Sequence, residues 1–402
     1  MLAGAFALLD WNAVTKHRCF QVGVMFSSTG PYSVVARSML NGALLALEEL
    51  NGDPDFPVEL VPVVADPGGE LARYPACAAE LLAGRTVRHV VGCYTSSSRK
   101  EVIPLFEKHD ALLWYPSHYE GFESSDNVVY TGAAPNQHIV PLLDHLLAQC
   151  GRTAWCIGSN YIWAWENNRI LRQAVAGQGG SVAAERYFAV GETDFSRVIE
   201  QILETRPSFV FNTLIGESAY QFLRDFRAMA RDRGIDQARE IPVASCSLSE
   251  PELEAIGGDA VDGHLSSSVY FSSIASAANR AFVQAYRKRF PEGPVMSADA
   301  EASYVAMGLL ARALAQAGSD DIARVKSAVT RLRLQAPQGE VWMDEDTFHA
   351  YLTPRIGRSN GNAQFDIIME AAQPVRPDPY LVWNSSRYDE TVRPARNLKA
   401  VS

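Results

Sequence analysis

Residues 90–137 read VVGCYTSSSRKEVIPLFEKHDALLWYPSHYEGFESSDNVVYTGAAPNQ, and this stretch decides the fold. Two apolar runs, 87–92 and 111–115, each break abruptly into small hydroxyls and aromatics. Tyr94, Thr95, Ser96 and Ser97 follow the first; Tyr115, Pro116 and Ser117 close the second. A helical segment, 98–109, separates them. A parallel sheet delivers ligand groups in this way, because buried strands end and their carboxyl-end loops carry the polar contacts. The stretch holds no strong nucleophile or base. It reads as a pocket for a small, neutral, hydrogen-bonding molecule.

The same rhythm extends outward in both directions. Upstream, 20–26 patterns as a strand, 37–50 as a helix, 58–65 as a strand and 74–83 as a helix. From Gln137 the alternation restarts: helix 139–149, strand 153–158, helix 165–178, strand 181–188, helix 195–205, strand 209–214, helix 220–233 and strand 241–244. The segment 269–273 (VYFSS) leads into helices 277–290 and 298–317, and the chain turns strand-like after Gly339. Repeated strand–helix units imply parallel sheets covered by helices on both faces. Two such sets in 402 residues imply an α/β protein of two Rossmann-like lobes joined by a hinge. The expected division is 20–136 plus 272–337 for the first lobe and 137–271 plus 338–385 for the second. Residues 1–19 and 386–402 are left as terminal extensions.

Composition excludes several functions. Apolar residues make up 47% and charged ones 20%, the profile of a globular protein. A net charge of −10 without any basic run argues against direct nucleic-acid binding, which needs a face that neutralises phosphates. The six cysteines (19, 77, 93, 150, 156, 246) show no metal-ligand spacing and read as reduced structural thiols. Residues 1–9 (MLAGAFALL) are apolar but short, and Lys16, His17 and Arg18 follow rather than precede them. A secretory signal places its positive charge first. Leu2-Ala3-Gly4-Ala5 looks like a lipoprotein box without the cysteine it would need. The expectation is therefore a cytoplasmic chain, with a periplasmic one as the alternative if the start is misassigned. No segment has the 18 or more apolar residues of a membrane span.

Catalytic and cofactor motifs fail. Phe26-Ser27-Ser28-Thr29-Gly30-Pro31 follows a strand but fits neither dinucleotide nor P-loop patterns, and the histidines show no metal spacing. No cofactor is implied. A serine nucleophile among Ser96, Ser97 and Ser98 has no base placed nearby. The expectation is a binding protein, not an enzyme.

Several runs carry a resemblance: GVMFSSTG (23–30), the stretch 90–137, IGSNYIW (157–163), FNTLIGES (211–218), YFSS (270–273), APQG (336–339) and RPDPY (376–380). Over about residues 20–385 the chain resembles the amide- and urea-binding branch of the type I periplasmic-binding proteins. The branch includes a cytoplasmic amide sensor that restrains an RNA-binding antitermination regulator of an amidase operon. It also includes the exported substrate-binding subunits of urea and short-amide ABC transporters, whose partner is an ABC permease. The resemblance implies a ligand held in the inter-lobe cleft by Ser96, Tyr115 and Ser117 from the first lobe. Tyr161, Trp163, Gly216, Glu217 and Ser218 would face them from the second. An uncharged amide offers a carbonyl and N–H groups, so its pocket must supply both donors and acceptors.

The chain departs from the amide sensor's pattern at Trp163, where that relative has a tyrosine, and at Ser117-His118, where it has Thr-Pro. The alternatives at single residues stay open. Glu217 contacts ligand or caps the helix that follows. Tyr94 faces the pocket or the lobe core, and Tyr161 the pocket or the sheet end. His118 is a ligand contact or a wall residue. Ser28 and Thr29 face the cleft or make a local turn. The missing export pattern points to the sensor role, with the transporter receptor as the alternative; a homo-oligomer is compatible with both.

Overall fold

The computed structural model describes residues 18–382. The apolar stretch 1–9 lies outside the described residues, as do the terminal extensions apart from Arg18 and Cys19. In chain order the first lobe opens with β1 (Arg18–Met25), α1 (Ser33–Gly52), β2 (Val58–Ala65), α2 (Arg73–Leu82), β3 (Val87–Gly92), α3 (Ser96–His109), β4 (Leu112–Tyr115) and β5 (Val128–Tyr130). The second lobe follows with α4 (Ile139–Gln149), β6 (Thr153–Ser159), α5 (Ile162–Gly177), β7 (Ser181–Phe188), α6 (Ser196–Thr205), β8 (Phe209–Thr213) and α7 (Glu217–Asp232). It continues through α8 (Gln237–Glu240), β9 (Val243–Ser245), α9 (Glu250–Ile256) and β10 (Leu265–Ser268). Then come α10 (Ala277–Arg289), α11 (Ala298–Ala317), α12 (Ile322–Val329), β11 (Leu334–Ala336), β12 (Gly339–Met343), β13 (Ala350–Tyr351), β14 (Arg355–Ser359) and β15 (Phe365–Glu370).

The first sheet is ordered β2-β1-β3-β4-β5 and is parallel throughout. The second begins with the same winding, β7-β6-β8-β9-β10, and adds β14 and β15 antiparallel at its far edge. β4 and β8 are buried along their whole length, and β4 (LLWY) reads as an unbroken apolar run. In both lobes the winding reverses beside the first strand, so each has a crevice at its carboxyl edge, where doubly wound sheets bind ligands.

The chain crosses between the lobes three times. It leaves the first lobe between β5 and α4, and returns between β10 and α10. Val305 and Leu309 of α11 then pack with Val22 and Val24 of β1 and Met39 of α1. Val341, Met343, Ala350 and Leu352 belong to that same core, so residues up to Leu352 stay with the first lobe. The last crossing thus falls between β13 and β14, later than the expected 337/338 boundary. The strand patterning around 339 is real, but β11, β12 and β13 form a small antiparallel sheet of their own.

Candidate functional site

Three loops at the carboxyl edge of the first sheet build one wall. After β3 the chain turns through Cys93 at φ +65°, a conformation that a side chain adopts only under strain. Thr95 then caps α3, its hydroxyl accepting from the Ser98 N–H at 3.2 Å. That cap places Ser96 in the first turn, at the strand's end. After β4, Ser117 and His118 lie against the loop that follows β5. At Gly132 an added Cβ would fall 2.1 Å from the Ser117 carbonyl oxygen, so only glycine allows this approach.

The second lobe supplies the facing wall from the ends of β6, β8 and β9. Tyr94, Thr95, Ser96, Ser117 and His118 meet Tyr161, Trp163, Ile215 and Ser247 around a narrow pocket. The lobes are shut upon it. The His118 and Trp163 rings stand edge to face at 5.3 Å. A Cβ at Gly216 (φ +59°) would meet the Pro31 carbonyl oxygen at 2.2 Å, so backbone touches backbone across the cleft.

Six of the nine candidate ligand residues line this pocket: Tyr94, Ser96, Ser117, His118, Tyr161 and Trp163. Tyr94 also packs against Tyr32 with ring centroids 5.5 Å apart, so it joins the lobe core to the pocket. Three do not. Tyr115 lies beneath the wall, its hydroxyl donating to the Tyr94 carbonyl at 2.7 Å. Gly216 serves the contact between lobes. Glu217 begins α7 with its side chain 55% exposed and pairs with Arg224 at 3.0 Å. It takes the helix-terminus reading, because the first turn of α7 points its carboxylate outward. Ser28 turns away to bond Asp66 at 2.5 Å, and Ser218 holds the Gly191 N–H at 3.0 Å.

Behind the first wall lies a charged network. The Arg99 guanidinium is fully buried, 3.1 Å from Glu120 and 2.7 Å from Glu123. It stands 4.6 and 4.7 Å from the Tyr115 and Tyr119 ring centres. Lys100 adds 2.7 Å to Glu123 and 3.5 Å to Glu120. Burial would raise the Glu123 carboxyl, but Arg99 and Lys100 hold it down at about 2. Ser96 joins this network, donating its hydroxyl proton to Glu120 and accepting from Arg99 at 3.3 Å. Ser117 donates to Asp299, in the first turn of α11, at 3.2 Å, and His118 Nδ1 lies 3.7 Å from the same oxygen.

The second wall is aromatic. Tyr161 and Trp163 stack at 6.2 Å. Burial keeps the Tyr94 and Tyr161 phenols protonated, with the Glu252 carboxylate pushing the same way. The Trp163 indole N–H is buried and has no hydrogen-bond partner among the described residues. Glu252 boxes the start of α9 through Ser249. Burial, with Asp299 adding to it, pushes its carboxyl up to about 8. Asp299 and Ser247 went unread in the sequence because neither lies near a recognisable motif; Thr95 was visible in the quoted stretch.

Among the described residues, no cluster of histidine, cysteine and carboxylates is arranged to hold a metal. No described helix is long and apolar enough to cross a membrane. A family model described as "Periplasmic binding protein domain" matches residues 20–386. Three solved structures share the fold. An ABC transporter solute binding protein from R. palustris, in complex with 4-hydroxybenzoate, is 21% identical with a TM-score of 0.79, over 89% of this chain and 98% of that one. A leucine binding protein from Thermotoga maritima is 20% identical, TM-score 0.75, over 87% and 98%. A branched-chain amino acid transporter substrate binding protein from Streptococcus pneumoniae, in complex with isoleucine, is 18% identical, TM-score 0.75, over 89% and 100%. A curated relative named limonene hydroxylase, from Geobacillus stearothermophilus, is 29% identical over 126 residues, 31% of this chain. The chain spans 23% of that relative's length. The chain belongs to the periplasmic binding protein domain family.

Proposed function

We propose that this family member closes its lobes around a short aliphatic amide or urea and serves as the solute-binding component of an ABC transporter. The observation that carries the reading is the pocket itself. It is a narrow cleft pocket with room of only about 10 Å³, far smaller than the roughly 300–1,000 Å³ of ordinary ligand sites, so only a very small ligand suits it. Hydroxyl-bearing residues and Trp163 line it, and the buried Arg99 guanidinium is paired with Glu120 and Glu123 behind the wall. A neutral molecule with both N–H and carbonyl groups matches that lining.

The solved neighbours favour the transporter role, with an ABC permease as partner, over the amide sensor and RNA-binding regulator expected first. That role sets the protein outside the cytoplasm. Binding without catalysis is part of the reading. The Ser96 and Ser117 protons go to carboxylates, and among the described residues no imidazole is hydrogen-bonded to either serine.

Acetamide and urea have four non-hydrogen atoms each. At a ceiling of about −1.5 kcal/mol per atom, binding reaches roughly −6 kcal/mol, a dissociation constant of tens of micromolar. Calorimetry against amides of two to four carbons, urea, benzoate and isoleucine tests this. Micromolar binding of an amide or urea is expected. Binding of benzoate or isoleucine with none of any amide contradicts it.

A further inference from the structure

Both serines of the first wall spend their only proton away from the pocket. Ser96 gives its proton to Glu120, and Ser117 gives its to Asp299. Both acceptors are buried carboxylates that can take a proton but not return one. Ser96 also accepts from Arg99 at 3.3 Å, so Ser96 keeps one lone pair, and Ser117 its own, for the pocket that they line. We propose that Glu120 and Asp299 set the polarity of this wall, so that Ser96 and Ser117 accept N–H groups from the ligand and the isosteric carboxylate is refused. The proposal rests on the amide or urea reading and names the residues that give it specificity.

The opposite wall has the complementary character. The Trp163 indole N–H is orphaned, and the Tyr161 hydroxyl lies at the same pocket with no protein acceptor among the described residues. The ligand is thus oriented, its N–H groups toward the first lobe and its carbonyl toward the second. A carboxylate in the same place would set its oxygens against serine lone pairs, and the Arg99 charge behind Ser96 is already paired with Glu120 and Glu123. A donor-poor ligand in such a site leaves buried polar groups unpaired, which is the strongest form of discrimination a pocket has. Glu120 and Asp299 are positioning residues in this account, acting through the serines.

Acetamide and acetate, matched in size and shape, separate the possibilities by calorimetry. Wild-type protein is expected to prefer acetamide by about 100-fold or more. In Glu120→Gln the new side-chain amide can donate to Ser96 and free the serine proton for the ligand. The preference should then shrink at least about tenfold, through weaker acetamide binding and stronger acetate binding. Asp299→Asn should act likewise through Ser117. Glu185→Gln, on β7 and paired with Arg172 away from the pocket, should keep the wild-type preference. Thermal melting identifies folded variants, and if Glu120→Gln does not fold, Asp299→Asn carries the same comparison. Equal wild-type affinity for the two ligands, or an unchanged preference in a folded variant, overturns the proposal while leaving amide binding intact. Absence of amide and urea binding by the wild type overturns the functional reading itself.

Discussion

The two lobes share a winding but not a way of making a wall. In the first, β3 and β4 end in serines held by buried charge, with Arg99, Glu120, Glu123 and Asp299 behind them. In the second, β6 ends in Tyr161 and Trp163, stacked and carrying an unmet N–H. A topology chooses where a ligand lies; the side chains behind the strand ends choose which way its hydrogen bonds run. The charged wall holds its shape before ligand arrives, whereas the aromatic wall is completed by it.

The contrast breaks most severely at Arg99. Replacing it with methionine leaves Glu120 and Glu123 buried together with only Lys100 near them. Removing one partner of a buried pair costs about 3–5 kcal/mol, so the melting temperature should fall steeply. A melting temperature within a few degrees of wild type would show that the first wall is not held by charge. Gly216→Ala tests the meeting of the walls. Its Cβ has no room beside the Pro31 carbonyl, so closure is obstructed. Ligand affinity should drop at least tenfold, about 1.4 kcal/mol, in calorimetry.

Trp163→Phe sharpens the comparison more gently. It keeps a ring against His118 but removes the N–H. Amide affinity should weaken by about 0.5–1.5 kcal/mol. The unliganded protein, relieved of a buried orphan donor, should melt no lower than wild type. The smallest and most diffuse effect is that of pH. Burial lowers His89 and His349 in the first lobe and His264 in the second to about 4, and His138 at the crossing to about 3. Their contribution is complete above 6.5 and lost as pH falls toward those values. The Glu123 pairing adds a first-lobe loss below about 4.5. Burial raises Glu252 to about 8 and Glu301 to about 7, so their contribution is complete below 4.5 and lost as pH rises through those values. Between pH 6.5 and 8, where the histidines no longer titrate, melting temperature should fall as Glu252 and Glu301 lose their protons; no fall over that range contradicts this account.

Much of this architecture was legible in the sequence. The stretches 58–65, 87–92, 139–149 and 298–317 coincide with their elements, because buried parallel strands and amphipathic helices write their period locally. The pocket loops were legible too, since a strand that ends in Tyr, Thr and Ser announces its own exit. What stayed hidden depends on distance along the chain. Asp299 reaches Ser117 across 182 positions, and no local pattern carries such a contact. The strand β10 (LSSS) was missed, because serines do not advertise a buried strand. Glu217 was ambiguous for a physical reason. A carboxylate in a helix's first turn is favourable with or without a ligand.

The most direct test is a crystal structure with acetamide or urea bound. The ligand should lie between the walls, with nitrogen within about 3.0 Å of the Ser96 and Ser117 hydroxyl oxygens and its carbonyl directed at the Trp163 indole N–H. A ligand held with its carbonyl on the serines, or bound outside the cleft, would contradict the account.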